Sequence, residues 1–287
     1  MEDKKTDINA SYTAADAIPL KLLIDQDLIN STQKSRIIPI HVQLVPTNNC
    51  NRNCSFCSCG KRDRSLSIDI DITKKIIDKL KVLGTKAITI TGGGEPLTYP
   101  HIKELINYIA DKKIKIGLTT NGILLHKLPK EIINKLTWCR ISTADDRQFT
   151  EDYDQMLSAT VGSSPSVDWA FSHVVTDNPN YEEIKKVVEF SNQHNFTHVR
   201  LVSDLFLPEK IDMDKIKKHL IKNNIDDNLV IYQGRKKYRK GGECYICYLK
   251  PLIGPDAKVY ACCGVQYAKD IPDKDLPKEF CIGDALE

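Results

Sequence analysis

Apolar residues follow two alternating periods over residues 38–222. Short segments that alternate apolar and polar positions, or are apolar throughout, are typical of β-strands, and segments that repeat apolar residues every three or four positions predict helices. The predicted strands cover residues 40–44, 87–90, 114–118, 138–142, 169–175 and 198–203. The predicted helices lie around residues 72–83, 102–109, 129–136, 149–158, 184–188 and 213–220. Gly84 predicts the end of the first helix.

The regular alternation of six strands with helices predicts the fold class. Such βα units build a parallel sheet or barrel, so we expect an α/β fold, a partial (β/α)6 barrel of the TIM type. Near the C-terminus, Pro255-Asp256 separates two short extended runs, which predicts a β-hairpin in a small cysteine-rich domain. The predicted organisation is an N-terminal extension (1–37), this core (38–222), a polar and basic linker (223–243) and the cysteine-rich domain (244–287).

Composition and charge narrow the class of protein. The chain has 287 residues, 41% hydrophobic and 28% charged, with a net charge of 41 − 38 = +3. These values are typical of a soluble globular protein and exclude a largely disordered chain, a collagen or a coiled coil. No apolar run reaches the roughly 18 residues of a membrane span, and no signal-peptide pattern begins the chain, so we expect a cytoplasmic protein. In that reducing compartment, clustered cysteines are more often metal ligands or catalytic groups than disulfides.

Three of the ten cysteines form a C-x3-C-x2-C motif directly after the first predicted strand. Cys50, Cys54 and Cys57 lie on one loop, where three thiolates can converge on one metal centre. An iron–sulfur cube held by three cysteines leaves one iron open, whereas a closed structural zinc site needs four protein ligands. On spacing alone, the alternative is a zinc site with Cys59 as the fourth ligand. Active residues of α/β folds lie at the carboxyl ends of strands, which favours the open site.

Polar or glycine-rich motifs also follow the second and third predicted strands, and polar residues lie within the fourth. Gly93, Gly94 and Glu95 belong to a Gly-Gly-Gly-Glu-Pro segment that follows the second predicted strand. Glycines let a backbone approach a ligand closely, and backbone carbonyls beside a carboxylate suit an ammonium group. A Thr-Asn-Gly segment follows the third strand, and two further polar residues lie in the fourth. These three candidates are Asn121, Arg140 and Ser142.

In this order, the motifs resemble those of the radical S-adenosylmethionine (SAM) superfamily. The resemblance covers roughly residues 40–205 and implies that Cys50, Cys54 and Cys57 hold a [4Fe–4S] cluster whose open iron is chelated by SAM. An electron from the cluster then cleaves SAM, and the resulting 5′-deoxyadenosyl radical abstracts a substrate hydrogen. The SAM-binding positions that the resemblance implies are Gly93, Gly94, Glu95, Asn121, Arg140, Ser142 and Leu201.

One position departs from the pattern of that superfamily. Ala144 occupies the place where an aspartate often follows the serine of the fourth strand, and Asp145 comes directly after it. Asp145 therefore has no assigned role, and no residue is assigned as catalytic.

The C-terminal cysteines resemble the SPASM or twitch extension that follows many radical SAM cores. This resemblance implies an auxiliary [4Fe–4S] cluster, with zinc as the alternative, in a domain that carries fewer cysteines than a complete SPASM domain. The implied ligands are Cys244, Cys247, Cys262 and Cys281. Ala257 stands where that extension has a glycine.

The resemblance leaves the substrate class open. SPASM and twitch relatives act mostly on peptides, so a peptide or protein side chain is the expected substrate, with a sugar, a nucleoside or another small molecule as the alternative. The expected electron donor is a flavodoxin or ferredoxin, and neither a membrane nor a nucleic acid is an expected partner. A non-catalytic zinc module that binds nucleic acid or protein is the alternative from another class, motivated by the basic run 235–240 beside Cys244.

Overall fold

The computed structural model describes the chain from just before the first predicted strand, with gaps. The described residues are 38–146, 149–234, 246–261, 263 and 280–287. The predicted N-terminal extension (1–37) and two cysteines of the predicted C-terminal site, Cys244 and Cys262, lie outside them. Among the described residues, no helix is both long enough and apolar enough to cross a lipid bilayer.

Six βα units and a seventh strand form the core of the protein. In chain order they are β1 (His41–Leu44), α1 (Ile70–Leu83), β2 (Ala87–Ile90), α2 (Ile102–Asp111), β3 (Lys115–Thr120), α3 (Lys130–Ile133), β4 (Trp138–Ala144), α4 (Glu151–Gly162), β5 (Asp168–Val175), α5 (Tyr181–Gln193), β6 (His198–Ser203), α6 (Met213–Lys222) and β7 (Val230–Gln233). All six predicted strands and all six predicted helices are present, with differences only at their ends. β7 lies inside the predicted linker, because its short apolar run is surrounded by polar and basic residues.

The strands of the described residues form one sheet in the order β10-β9-β8-β1-β2-β3-β4-β5-β6-β7. β1 to β7 are parallel and adjacent in chain order, as expected for successive βα units. The C-terminal segment contributes α7 (Ile246–Leu249), β8 (Leu252–Ile253), β9 (Lys258–Tyr260) and β10 (Cys281–Asp284). β8 is parallel to β1 and antiparallel to β9. The α/β class with a parallel sheet and the predicted hairpin are both confirmed.

The hairpin turn explains why a glycine is favoured at position 257. Ala257 has a φ of 62°, in the left-handed region, and its backbone N–H donates to the carbonyl of Gly254 at 3.1 Å. A residue with a Cβ adopts this conformation at a cost of roughly 1 kcal/mol. A glycine would adopt the same conformation without this cost.

Helix α1 is fixed at both ends by its sequence, and this positions the long loop that precedes it. The carboxylate of Asp69 accepts hydrogen bonds from the N–H groups of Asp71 and Ile72, at 2.8 and 3.1 Å. Gly84 ends the helix with a φ of 97°. Between the caps, side chains such as Ile76 are buried in the core between sheet and helices. The loop between β1 and α1 carries the cysteine motif, and its C-terminal end is therefore fixed by the start of α1.

A close contact between β3 and β4 requires a glycine inside the sheet. Gly117 pairs with Trp138 across the two strands. A Cβ at Gly117 would lie 2.2 Å from the Trp138 ring, far inside van der Waals contact. The guanidinium of Arg140 lies 5.2 Å from the centroid of the same ring. The indole therefore fills the space that a side chain at position 117 would need.

We predict that Gly117→Ala lowers the free energy of unfolding by about 1–3 kcal/mol, because the added methyl group displaces the Trp138 ring. Gly162→Ala is the matched control, since a Cβ at that helical position meets no atom within 4 Å. Urea unfolding followed by tryptophan fluorescence measures both variants. Equal stability of the two variants would contradict the packing role of Gly117.

Candidate functional site

A cavity of about 240 Å³ lies at the carboxyl ends of the parallel strands. Its wall includes all three cysteines of the predicted cluster motif and most of the predicted SAM-binding residues. The predicted residues that line it are Cys50, Cys54, Cys57, Gly93, Gly94, Glu95, Asn121 and Ser142. The loops after β1, β2 and β3, together with strand β4, thus contribute to one concave site, as is typical of α/β folds.

Two of the predicted residues are not brought to this cavity. Leu201 is buried in the main hydrophobic core, and the wall beside β6 is formed by Ser203 and Leu205 instead. Arg140 lies two residues before Ser142 on β4, with its guanidinium over the Trp138 ring. The structure therefore places both side chains away from the cavity lining.

The cysteine loop is closed at its base by contacts between its two ends. Thr47 and Ser67 form an isolated antiparallel bridge, and their hydroxyl groups lie 2.6 Å apart. The N–H of Asn48 donates to the carbonyl of Leu66 at 2.9 Å. Within the loop, the N–H of Cys57 donates to the carbonyl of Cys54 at 3.1 Å, which forms a tight turn between the last two cysteines.

Cys57 is the thiol that its surroundings most strongly favour as an anion. A hydrogen bond from the Cys59 thiol, together with the Arg62 guanidinium, lowers the pKa of Cys57 from 9.0 to about 5, although burial opposes the shift. The same hydrogen bond and burial raise the pKa of Cys59, whose sulfur lies 3.8 Å from the carbonyl oxygen of Gly92. Metal ligation requires the thiolate form.

The thiols share one cavity wall without yet forming a cluster. Among the described residues, no three histidine, cysteine or carboxylate side chains lie close enough together to hold one metal ion. The donor set nevertheless fits a thiophilic metal centre, because Cys50, Cys54 and Cys57 face the same space and one of them is readily ionised.

The glycines of the second motif are required by close backbone approach. A Cβ at Gly93 would lie 1.9 Å from the side-chain oxygen of Asn48, and a Cβ at Gly94 would lie 1.9 Å from the carbonyl oxygen of Asn49. The N–H of Gly94 donates to the carbonyl of Thr47 at 3.0 Å. The loop after β2 is therefore packed directly against the start of the cysteine loop.

Glu95 joins the loops after β1, β2 and β3. Its side chain is 2% exposed. One carboxylate oxygen accepts from the hydroxyl of Thr120 at 2.6 Å and from the N–H of Leu97 at 3.1 Å, and the other accepts from the N–H of Asn121 at 2.6 Å. The backbone N–H of Glu95 donates to Asn49 at 2.8 Å. The carboxylate therefore positions neighbouring loops, a role that the sequence did not indicate.

Asn121 extends this network to the cysteine loop. Its side-chain amide donates to the side-chain oxygen of Asn51 at 2.6 Å, and its own side-chain oxygen accepts from the N–H of Ile123 at 3.1 Å. Asn51 lies directly after Cys50 in the chain. The position of the cysteine loop is thus linked, through Asn121, to Glu95.

Asp145, which had no predicted role, lies in a buried hydrogen-bonded network behind the cavity. Its carboxylate lies 3.0 Å from the Nε2 atom of His173 and accepts from the N–H of Thr176 at 2.6 Å. The Nδ1 atom of His173 lies 3.0 Å from the hydroxyl of Thr143. Both side chains are almost fully buried. The network connects the ends of β4 and β5. Its residues are distant in the sequence, so only the three-dimensional structure shows that they are in contact.

Two arginines line the cavity that sequence reasoning did not select. Arg52 and Arg62 lie within the cysteine loop and face the same space as the thiols. In the sequence, these arginines belong to a group of basic residues around the cysteines. Such a group does not show which of its side chains face the cavity and which face solvent.

The C-terminal cysteines are only partly described. Cys281 and Cys263 pack against a small apolar cluster of Val45, Leu252 and Tyr260. Cys247 lies in α7 and is half-buried. Since Cys244 and Cys262 lie outside the described residues, the auxiliary site stays a prediction.

Comparison with known proteins relates part of this chain to a described family. Residues 44–141 match the family model described as the Radical SAM superfamily. Among curated relatives, GTP 3′,8-cyclase of Chlorobaculum tepidum is 30% identical over 173 residues, which are 55% of this chain and 51% of the relative. AdoMet-dependent heme synthase of Methanosarcina barkeri is 31% identical over 163 residues, which are 51% of this chain and 45% of the relative.

Both of these relatives are named for enzymes, and the matches relate part of this chain to them. The chain spans about half the length of these two curated relatives. A shorter match, 31% identical over 97 residues, covers 33% of this chain and 21% of the antilisterial bacteriocin subtilosin biosynthesis protein AlbA of Bacillus subtilis.

Solved structures share the fold of this chain. SuiB of Streptococcus suis, bound to the precursor peptide SuiA, superimposes with a TM-score of 0.64 over 85% of this chain and 64% of that chain, at 17% identity. The anSMEcpe structure with bound AdoMet and the Cp18Cys peptide gives a TM-score of 0.58 over 86% of this chain and 77% of that chain, at 13% identity. At these identities the likeness establishes the fold alone.

We predict that Glu95→Gln lowers the free energy of unfolding by about 1.5–3 kcal/mol, because a buried carboxylate with three donors becomes an amide that cannot accept from all of them. Glu104→Gln is the control, since Glu104 is half-exposed and pairs with Lys74 at the surface. Denaturant unfolding measures both. A Glu95 variant as stable as the Glu104 variant would show that the carboxylate does not hold the loops.

We predict that alkylation of Cys57 in the metal-free protein reaches half of its maximal rate near pH 5, because the lowered pKa keeps the thiolate populated at neutral pH. The Cys59→Ala variant loses the donated hydrogen bond, so its midpoint moves to higher pH. Peptide-resolved mass spectrometry after iodoacetamide labelling gives both midpoints. Identical midpoints would contradict the role of Cys59.

Proposed function

We propose that this protein is a radical SAM enzyme whose Cys50, Cys54 and Cys57 hold a [4Fe–4S] cluster that binds SAM. When bound, the cluster supplies the electron that cleaves SAM to a 5′-deoxyadenosyl radical, which abstracts a hydrogen atom from the substrate. The observation that carries the proposal is the shared cavity of the three thiols with Gly93, Gly94 and Glu95.

The fourth thiol of the loop lines the same cavity as the three proposed ligands. Cys59 is 9% exposed, its sulfur lies 3.8 Å from the carbonyl oxygen of Gly92, and its thiol is hydrogen-bonded to Cys57. A closed zinc site would need the Cys59 thiolate as a fourth ligand. The raised pKa of Cys59 favours its protonated form and therefore a site with three thiolate ligands.

The chain's own residues supply positioning and shielding. Glu95 and Asn121 hold the loops after β2 and β3 against the cysteine loop, and the glycines leave backbone groups accessible at the cavity. Phe56 lines the cavity beside Cys57 and helps to exclude water. Ser142 presents a hydroxyl from β4, suited to a polar group of SAM.

We infer that the substrate is a peptide or protein side chain. The match to AlbA, a protein named for the biosynthesis of a bacteriocin, supports this class. A nucleotide is the second candidate, favoured by the longer match to GTP 3′,8-cyclase. Adding GTP to the reconstituted protein discriminates between them: unchanged formation of 5′-deoxyadenosine supports the peptide class, and GTP-dependent stimulation supports the nucleotide.

The C-terminal cysteines belong to the same proposal as a second metal site. Cys244, Cys247, Cys262 and Cys281 are proposed to hold an auxiliary [4Fe–4S] cluster or a zinc ion, and a flavodoxin or ferredoxin is the proposed electron donor. Iron, sulfide and zinc analysis of wild-type protein and a Cys247→Ala variant tests the auxiliary site, because a second cluster predicts loss of about half of the bound iron.

We predict that anaerobic reconstitution with iron and sulfide gives a chromophore that dithionite bleaches, and that the reduced protein converts SAM to 5′-deoxyadenosine. Cys54→Ala removes one of three ligands and should lose at least about 100-fold of this activity, in line with the 10–100-fold or larger losses seen on disturbing metal shells. Chromatographic detection of 5′-deoxyadenosine measures the change.

Cys59→Ala is the matched control, since it removes a thiol of the same loop without removing a proposed ligand. It should keep both iron and SAM cleavage. Retained cleavage in Cys54→Ala would contradict the proposed site. Stoichiometric zinc without iron, lost in both variants, would instead identify a four-thiolate zinc module.

A further inference from the structure

Arg62 makes a set of contacts that no other described residue of the cysteine loop makes. Its Nε atom donates to the carbonyl of Asn48 at 2.9 Å, and its Nη1 atom donates to the sulfur of Cys57 at 3.4 Å. The same Nη1 atom also contacts the carbonyl oxygen of Cys59. One guanidinium therefore links the start of the loop to its last proposed ligand.

The planar geometry of this side chain suits the arrangement. A guanidinium presents several donors at fixed angles, so one N–H can satisfy a backbone carbonyl while another points at a sulfur. Arg62 is half-buried and lines the cavity, so its charge faces the thiols through little water. Its effect on a charged group there is correspondingly stronger than at the surface.

Another arginine two positions further along provides a contrast. Arg64 is exposed and donates to the carbonyl of Arg52 at 3.1 Å and to the side-chain oxygen of Asn53 at 2.8 Å. These contacts join it to the outer part of the loop rather than to the thiols. Both arginines therefore place a positive charge near the cysteine motif, but only Arg62 donates an N–H to the sulfur of Cys57.

We propose that Arg62 is a positioning residue that hydrogen-bonds the sulfur of Cys57 and raises the reduction potential of the cluster held there. This inference rests on the proposed function, because it needs a cluster ligated by Cys57. Hydrogen bonds to ligating sulfurs and nearby charge are among the means by which proteins set cluster potentials.

The sign of the effect follows from charge. One-electron reduction by a low-potential donor adds one negative charge to the cluster and its thiolates, and no bond to the protein forms or breaks. A cation and an N–H donor beside a ligating sulfur stabilise the more negative, reduced state. Removing them therefore makes the cluster harder to reduce.

The test is the midpoint potential of the reconstituted cluster, measured by titration with dithionite and followed by the paramagnetic signal of the reduced form. Arg62→Gln should shift the potential to a more negative value than wild type, and Arg62→Lys should shift it less, because lysine keeps the charge but not the fork. Arg64→Gln, the matched control, should keep the wild-type potential.

The outcomes separate this inference from the proposed function. Wild-type protein that loads no cluster would overturn both. A loaded wild type with an unshifted Arg62→Gln variant, or an equal shift in Arg64→Gln, would overturn only the role of Arg62. If Arg62→Gln fails to load a cluster, Arg62→Lys decides, and a wild-type potential in that variant would count against the inference.

Discussion

The buried carboxylate of Glu95 is the interaction on which the geometry of the site depends. Burying an ionised group costs several kcal/mol unless its oxygens are hydrogen-bonded. Here the donors come from Leu97 beside it and from Thr120 and Asn121 at the end of a different strand. The cost of burying the carboxylate is offset only when those loops supply their hydrogen-bond donors. The carboxylate therefore stabilises the native arrangement of the strand ends. Asn121 then passes this constraint to the cysteine loop through Asn51.

Much of the fold could be predicted from the sequence because burial repeats along it. Helices such as α1 repeat apolar residues on one face, and β1 alternates buried and half-buried positions, so the period indicates the type of element. β7 was missed because its short apolar run lies among polar and basic residues that are typical of a linker. The cavity was predictable too, since parallel strands bring their carboxyl ends to one edge of the sheet. The motifs after β1, β2 and β3 were therefore expected to lie close together at that edge.

The direction of individual side chains was less predictable. Leu201 and Arg140 lie on strands of the correct part of the sheet, but a shift of one residue reverses the face that a side chain occupies, and a shift of two moves it along the strand by about 7 Å. Leu201 therefore packs in the core, and the guanidinium of Arg140 lies over the Trp138 ring, outside the cavity lining. The pair of Asp145 and His173 joins residues 28 positions apart, and no local pattern encodes such a contact.

The cysteine loop combines a fixed base with side chains that have not yet converged. The contacts of Thr47 and Asn48 close the base, and Arg62 spans the middle. Within such a frame, rearranging three cysteine side chains costs roughly 1 kcal/mol each. Thiolate binding of a structural metal provides about 10–16 kcal/mol in small zinc domains. An energy of that order far exceeds the cost of rearrangement, so the separation of the thiols agrees with the proposed metal centre. Under that proposal, the frame, rather than the position of each sulfur, determines which three thiols converge.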